Sequence, residues 1–210
     1  MALTAKETIF LTGPAGKLET LVARPAEGEI RGTLTFVHPN PTEGGTNTNK
    51  VVTTVAKAFC KKGYACLLPN MRGPGDSDGA YADGAGEKDD AQAVFEAAKA
   101  MFPQARRRAL GGFSFGGFVA TLAAGACEPD FLILVAPAVN RHALKSPRDV
   151  ALRFDTRLFF GSEDDVVPPG DVLPWAEAQS LPVVTIAGAG HFFHRKLADL
   201  EKAVELFCPF

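Results

Sequence analysis

The sequence has few cysteines, and none stands at a spacing typical of a metal site or a disulfide framework. Its four cysteines lie in apolar surroundings without a C-x-x-C pair: Cys60, Cys66, Cys127 and Cys208. Such thiols are typical of buried, reduced side chains in a cytoplasmic protein. The four histidines also lack ligand spacing with the cysteines, so we predict no metal centre.

An excess of charge and a long apolar run are lacking as well. The 22 basic and 24 acidic residues give a net charge of −2, which does not favour nucleic acid or an anionic membrane as a partner. The one basic run, Arg106–Arg108, is typical of a solvated loop before a strand. No apolar run approaches the ~20 residues of a membrane helix, and Met1–Phe10 does not resemble a secretory signal. We therefore expect a cytoplasmic protein.

The 210 residues are predicted to form a single domain, residues 1–210, because the sequence contains no repeat and no long linker. The chain opens with a predicted hairpin of two strands, Thr8–Thr12 and Leu18–Arg24. Further apolar, β-rich runs follow at Thr33–Val37, Ala65–Leu68, Ala109–Gly111, Phe131–Val135, Leu158–Phe160 and Val183–Ile186. Their continuous hydrophobicity is typical of strands that are covered on both faces, as in a parallel sheet.

Helical patterns lie between these runs. They cover Asn47–Lys62, Gly86–Met101, Phe115–Ala126, Gly170–Gln179 and Phe192–Phe207. Strands that alternate with helices predict an open, mostly parallel α/β sheet of about eight strands between two layers of helices. Neither G-x-G-x-x-G nor a Walker loop is present, so we predict no nucleotide cofactor and expect the protein to need no cofactor at all.

One pentapeptide, Gly112-Phe113-Ser114-Phe115-Gly116, stands between an apolar strand and an apolar helix. G-x-S-x-G in this context is typical of a nucleophile elbow, a tight turn that exposes the serine hydroxyl above the sheet. The two glycines leave room where strand and helix pack together. Ser114 is therefore the candidate nucleophile.

The order of elements and three motifs together resemble the α/β hydrolases. The motifs are the elbow, the loop His38-Pro39-Asn40-Pro41-Thr42-Glu43-Gly44-Gly45 and the segment Asn70–Ser77. More narrowly, the chain resembles small, lidless proteins of the dienelactone-hydrolase-like group, over nearly its whole length. Dienelactone hydrolases use a cysteine nucleophile, whereas this elbow carries Ser114. The resemblance implies a three-layer α/β-hydrolase fold without a cap domain, since residues 136–156 hold at most a loop and a short helix at Pro147–Arg153.

A serine hydroxyl needs a base to take its proton and a third group to orient that base. In the α/β-hydrolase order of serine, acid and histidine, the base follows the last strand. His191 stands there, while His194 is predicted to lie one turn later, within the final helix. The family pattern Gly-x-x-Asp maps the acid onto Asp164, with Asp165 and Glu163 as close rivals.

The oxyanion of an acyl-transfer reaction needs two backbone N–H donors. Phe115 follows the nucleophile at a helix start and is the first candidate. The second donor is expected from the loop after Thr33–Val37. Proline has no N–H, which leaves Asn40 first and Thr42 second.

Loops are expected to form the walls of an open, shallow site. Met71, Arg72 and Phe192 are weak candidates for contact with substrate, and Phe113, Phe115, Phe193 and Arg141 are weaker still. For each aromatic, core packing is at least as good an interpretation, and for each arginine so is an ion pair.

The resemblance and the residues together predict a serine hydrolase that cleaves a short-acyl carboxylic ester through Ser114, His191 and Asp164. Its partner would be a small ester substrate, and the chain would be a monomer or homodimer. Two alternatives stay open: an aminoacyl or dipeptidyl peptidase of the same fold, and a binding protein that keeps the fold without chemistry.

Overall fold

A computed structural model describes residues 5–139 and 155–210. Eight strands form one sheet in the order β1-β2-β4-β3-β5-β6-β7-β8. The antiparallel hairpin of β1 and β2 joins β4, also antiparallel, and every other pairing in the sheet is parallel. The mostly parallel eight-stranded sheet predicted from the apolar runs is confirmed.

The elements alternate along the chain. The strands are β1 Ala5–Gly13, β2 Gly16–Arg24, β3 Gly32–Val37, β4 Tyr64–Pro69, β5 Arg107–Phe113, β6 Phe131–Val135, β7 Asp155–Gly161 and β8 Val183–Ile186. The helices are α1 Lys50–Lys61, α2 Glu87–Met101, α3 Phe115–Cys127, α4 Pro169–Ala178 and α5 Leu197–Phe207, with a short 3-10 turn at Pro41–Glu43.

Burial explains why the central strands have continuous apolar sequences. Every residue of β3, β4 and β6 is buried, because helices cover the sheet on both faces. Helix α1 packs beside α5, and α2 packs beside α3. All four cysteines are buried, as predicted.

Two predicted helix starts differ from the structure. Helix α1 begins at Lys50, not at Asn47, because the Asn49 side chain accepts a hydrogen bond from the Val51 N–H and caps the helix there. Helix α5 begins at Leu197, not at Phe192. Phe193 and Arg195 have φ of 52° and 62°, a left-handed conformation that a right-handed helix cannot contain. His194 consequently lies outside α5.

The helix predicted at Pro147–Arg153 and the candidate Arg141 lie outside the described residues. Along the described ranges, no helix combines the length and the apolar character that crossing a bilayer requires.

Candidate active site

Ser114 occupies a strained turn between β5 and α3. Its φ of 55° and ψ of −118° lie in a region that residues with a side chain rarely adopt. The turn depends on its two glycines. A Cβ on Gly112 would lie 2.2 Å from the carbonyl carbon and oxygen of Gly116, and a Cβ on Gly116 would lie 2.2 Å from the Val37 oxygen. The pentapeptide therefore has the backbone geometry of a nucleophile elbow.

His191 approaches Ser114 from the far end of the chain. It follows β8 through a turn at Gly188, whose φ is 68°. The distance between its Nε2 and the Ser114 Oγ is 3.0 Å. Both residues are buried, with 4% of His191 and 8% of Ser114 exposed. The imidazole thus lies within hydrogen-bond reach of the hydroxyl proton that a general base would remove.

Asp164 lies on the other side of the imidazole. Its Oδ2 accepts a hydrogen bond of 2.8 Å from His191 Nδ1–H, while its Oδ1 accepts from the backbone N–H groups of Val166 and Val167. The carboxylate therefore fixes the tautomer in which Nε2 is free of hydrogen and can accept the serine proton. Its two rivals, Glu163 and Asp165, are exposed.

Two aromatic rings hold the imidazole in place. Phe113 lies beneath it, with ring centroids 4.9 Å apart, and Phe192 meets it edge-on at 5.0 Å. Phe113 is fully buried, whereas 42% of Phe192 is exposed. Phe192 is thus the one of the two that can also contact a substrate. Phe115 and Phe193, the other aromatic candidates, are fully buried and pack in the core.

The loop after β3 lies directly against the elbow. A Cβ on Gly116 would come within 2.5 Å of the His38 carbonyl oxygen. The Asn40 side chain accepts hydrogen bonds from the Thr42 N–H and hydroxyl, at 3.1 and 3.0 Å. Because its N–H is engaged in this way, Thr42 is the poorer of the two oxyanion donors predicted for this loop. Asn40, in the loop after β3, and Phe115, the first residue of α3, stay the predicted donors.

His38 has a structural function that the sequence patterns missed. Its side chain is fully buried, its Nδ1–H donates to the Pro39 oxygen at 2.6 Å, and its Nε2 accepts from the Met71 N–H at 3.0 Å. Burial lowers the pKa of His38 to about 4, so the ring is neutral near pH 7. The neutral ring ties the loop after β3 to the segment after β4.

Met71 and Arg72, two of the weak candidates for substrate contact, make other contacts within the protein. The Met71 side chain is fully buried and belongs to the main hydrophobic core. The Arg72 guanidinium donates to both oxygens of Asp90, at 2.9 and 2.7 Å, and to the Gly86 carbonyl. These contacts hold the segment after β4 on α2, so neither side chain is presented to a ligand.

A metal centre would need several suitable side chains close together. In the part of the chain that the structure describes, no three His, Cys, Asp or Glu residues are grouped to hold a metal ion.

Comparison with known proteins places the chain in a family. Residues 28–159 match the family model described as serine aminopeptidase, S33. The chain belongs to this family. A crystal structure of XC6422 from Xanthomonas campestris, described as an α/β serine hydrolase without lid, is 36% identical over 96% of this chain and 92% of its own, with a TM-score of 0.88.

Two further relatives agree with this family assignment. The structure of an α/β serine hydrolase homologue from Coxiella burnetii is 36% identical, covers 95% of this chain and 96% of its own, and has a TM-score of 0.87. An uncharacterised protein, RP471, of Rickettsia prowazekii (strain Madrid E) is 29% identical over 93% of this chain and 86% of its own length. The protein is thus a serine hydrolase with the lidless α/β-hydrolase fold, as the motifs predicted.

Proposed function

We propose that this serine hydrolase is a carboxylesterase that acts on short acyl groups through an acyl-enzyme, with Ser114, His191 and Asp164 as its catalytic triad. The observation that carries the proposal is the 3.0 Å distance between Ser114 Oγ and His191 Nε2, with Asp164 on the opposite nitrogen of the same ring. A nucleophile, a base and an orienting carboxylate in this arrangement are the requirements for acyl transfer.

The reaction proceeds in two halves. Ser114 Oγ attacks the ester carbonyl carbon while His191 Nε2 takes its proton, and the carbonyl oxygen becomes an oxyanion that accepts hydrogen bonds from the N–H groups of Asn40 and Phe115. The C–O bond to the alcohol then breaks, and the leaving oxygen takes the proton from His191. In the second half, water attacks the acyl carbon while His191 Nε2 takes one of its protons. The bond between the acyl carbon and Ser114 Oγ then breaks, Oγ takes the proton back from His191, and the carboxylic acid leaves.

The preference for short acyl groups rests on the few exposed apolar side chains that the described residues place at the triad. Phe192 is the exposed aromatic next to it, and within residues 5–139 and 155–210 no cap domain encloses the site. With few surfaces to bury acyl methylenes, each added carbon gains little of the ~0.8 kcal/mol that full burial of a CH₂ supplies. Turnover should therefore be broad for short esters and should not peak at one long chain.

The test is a panel of p-nitrophenyl esters with acyl chains from two to twelve carbons, run beside labelling with a fluorophosphonate. We expect hydrolysis that is highest for short chains, labelling at Ser114, and loss of both in Ser114→Ala. A sharp optimum at one long acyl chain would contradict the short-acyl preference. Wild-type protein that neither labels nor turns over any ester would favour a binding protein that keeps the fold.

A peptidase is the second candidate, because the matched family is described as serine aminopeptidase. Both activities would use the same triad and differ in the leaving group, which is an amine in place of an alcohol. An aminoacyl p-nitroanilide compared with the p-nitrophenyl ester of the same acid separates them. A kcat/KM for the anilide equal to or above that for the ester would replace the esterase proposal.

A further inference from the structure

A cavity lies at the end of the sheet opposite the triad. It has a volume of about 750 Å³, within the range of small-molecule sites. It is formed by the segments that precede β3, β4 and β5 together with residue 210, at the amino ends of these strands. We call it the basic cavity. Its lining includes four cationic side chains, Arg31, Lys62, Arg106 and Arg107, and two carboxylates, Glu27 and Glu29.

The four cations of the basic cavity form no ion pair with a carboxylate of the described residues. Among the residues that the structure describes, none of the four has a carboxylate within 4.0 Å, although ion pairs occur elsewhere, as between Arg72 and Asp90. Lys61, which also lines the cavity, is different: it pairs with Glu201 and Glu205, and these carboxylates raise its pKa. Four unpaired cations therefore lie beside two side-chain carboxylates, those of Glu27 and Glu29, in a protein whose net charge is −2.

Backbone and ring contacts hold the cations in place without neutralising them. Arg31 is fixed between two other segments, because its N–H donates to the Gly63 oxygen at 2.9 Å and its oxygen accepts from the Arg106 N–H at 2.9 Å. Lys62 Nζ lies 5.5 Å from the ring centroid of Phe210, and the Arg107 guanidinium lies 5.3 Å from that of Phe131. Ring faces position a cation while its N–H groups stay free for an anion.

We propose that the basic cavity binds a small organic phosphate with two or more negative charges, such as a nucleoside diphosphate. Guanidinium groups match the geometry of phosphate oxygens with paired N–H donors, and three arginines line this cavity. The volume exceeds what inorganic phosphate fills, and the partly exposed Ile30 of the lining offers apolar surface to the organic part. The phosphate groups lie among the arginines.

This site is separate from the triad. Strand β5 runs from Arg107, in the basic cavity, to Phe113, next to Ser114, and seven residues of extended chain span about 20 Å. Binding at the basic cavity therefore does not need the proposed esterase chemistry, and the two proposals fail independently.

The experiment is isothermal titration calorimetry of the whole chain with ADP, AMP, adenosine and pyrophosphate, at low and at physiological ionic strength. We expect one ADP per chain, weaker binding of AMP, and weaker binding of every anion as salt rises. The double variant Arg31→Gln/Arg106→Gln should bind ADP at least tenfold more weakly. Both side chains are exposed, so the variant should fold, which its melting temperature checks.

Two control proteins make the result specific. Lys88→Gln/Lys202→Gln removes two exposed cations outside the lining and should change ADP binding less than twofold. Ser114→Ala should bind ADP like the wild type. The proposal is overturned if ADP shows no saturable binding up to about 1 mM, if both double variants lose affinity equally, or if adenosine binds as tightly as ADP.

Discussion

Two histidines are buried near the carboxyl ends of the strands, and their neighbours give them opposite tasks. His38 donates to the Pro39 carbonyl and accepts from the Met71 N–H, and neither backbone group takes part in proton transfer. His191 donates to the Asp164 carboxylate and accepts from the Ser114 hydroxyl. A carboxylate stabilises the charged ring, and the hydroxyl supplies a proton. Burial alone therefore does not make a histidine a base; its two partners do.

The same contrast separates stability from activity. His38 joins two loops through groups that would be buried and unpaired without it, so its loss should affect folding first. His191 is held by Phe113 and Asp164, and its loss should affect chemistry first. Substitutions at the two positions test this division directly.

The largest effect is expected at the catalytic histidine. His191→Ala should lower kcat by about 10⁶, because Ser114 loses its base, and should leave substrate binding nearly unchanged. The measurement is steady-state hydrolysis of a short p-nitrophenyl ester, with His194→Ala as the matched control at an exposed histidine nearby. If the two variants retained similar activity, His191 would not be the base.

A smaller loss is expected when the ring keeps its place but loses its orienting charge. Asp164→Asn should lower kcat about 10⁴-fold, because an amide favours the wrong tautomer of His191. Asp165→Asn is the matched control, and it should stay within about twofold of the wild type because that carboxylate is exposed. Equal losses in the two variants would leave the orienting acid unassigned.

His38→Ala should act mainly on the fold. It leaves the Met71 N–H and the Pro39 oxygen without their partner, and about one to three kcal/mol for each of these two groups predicts a loss of about 2–6 kcal/mol in the free energy of unfolding. Displacement of Asn40 should also lower kcat, by about 10², with KM little changed. Urea denaturation and kinetics on one sample distinguish this from His191→Ala, which should lose activity at nearly unchanged stability.

The pH dependence of stability gives the finest test. The pKa of His38 is about 4 in the folded protein and about 6.5 in an unfolded chain. Above pH 6.5 the ring is neutral in both states and contributes nothing. Between pH 6.5 and 4 the His38 ring binds a proton in the unfolded chain but not in the folded protein. The free energy of unfolding therefore falls as the pH falls, by about 3 kcal/mol in total.

The measurement is urea denaturation at pH 7.5, 6 and 5 for the wild type and His38→Gln. The stability difference between the two should change steadily in favour of the variant as pH falls, while His194→Gln follows the wild type. A difference that stays constant with pH would mean that folding does not change the pKa of His38.

The sequence predicts the sheet well because strands that are buried on both faces consist of consecutive apolar residues. The apolar runs identified the strands that follow the opening hairpin and matched the bounds of β6 and β8. They missed end residues of the other four, both charged ones such as Arg107 and uncharged ones such as Phe113 and Gly161. The predicted start of α5, at Phe192, was wrong because of the backbone conformation of the residues before Leu197. The apolar spacing of Phe192–Leu197 is compatible with a helix, but Phe193 and Arg195 have positive φ, which the spacing of apolar residues does not reveal.

The candidate site divides in the same way. Ser114, Asp164 and His191 can be chosen from motifs because each follows a recognisable strand. The hydrogen bond from the Met71 N–H to His38 could not be predicted, because Met71 lies in another loop, 33 residues later in the chain. The basic cavity was missed for the same reason. Arg106–Arg108 looked like a solvated loop, and only the fold places Arg31 and Lys62 beside it.

The contact between Gly116 and the oxygens of Val37 and His38 has a practical consequence for protein engineering. The turn that carries the nucleophile packs so closely against the segment after β3 that there is no room for a side chain at Gly116. A chimaera that imports only one of these pieces from a relative would bring mismatched backbones together. Residues 38–45 and 112–117 should therefore be exchanged as one cassette.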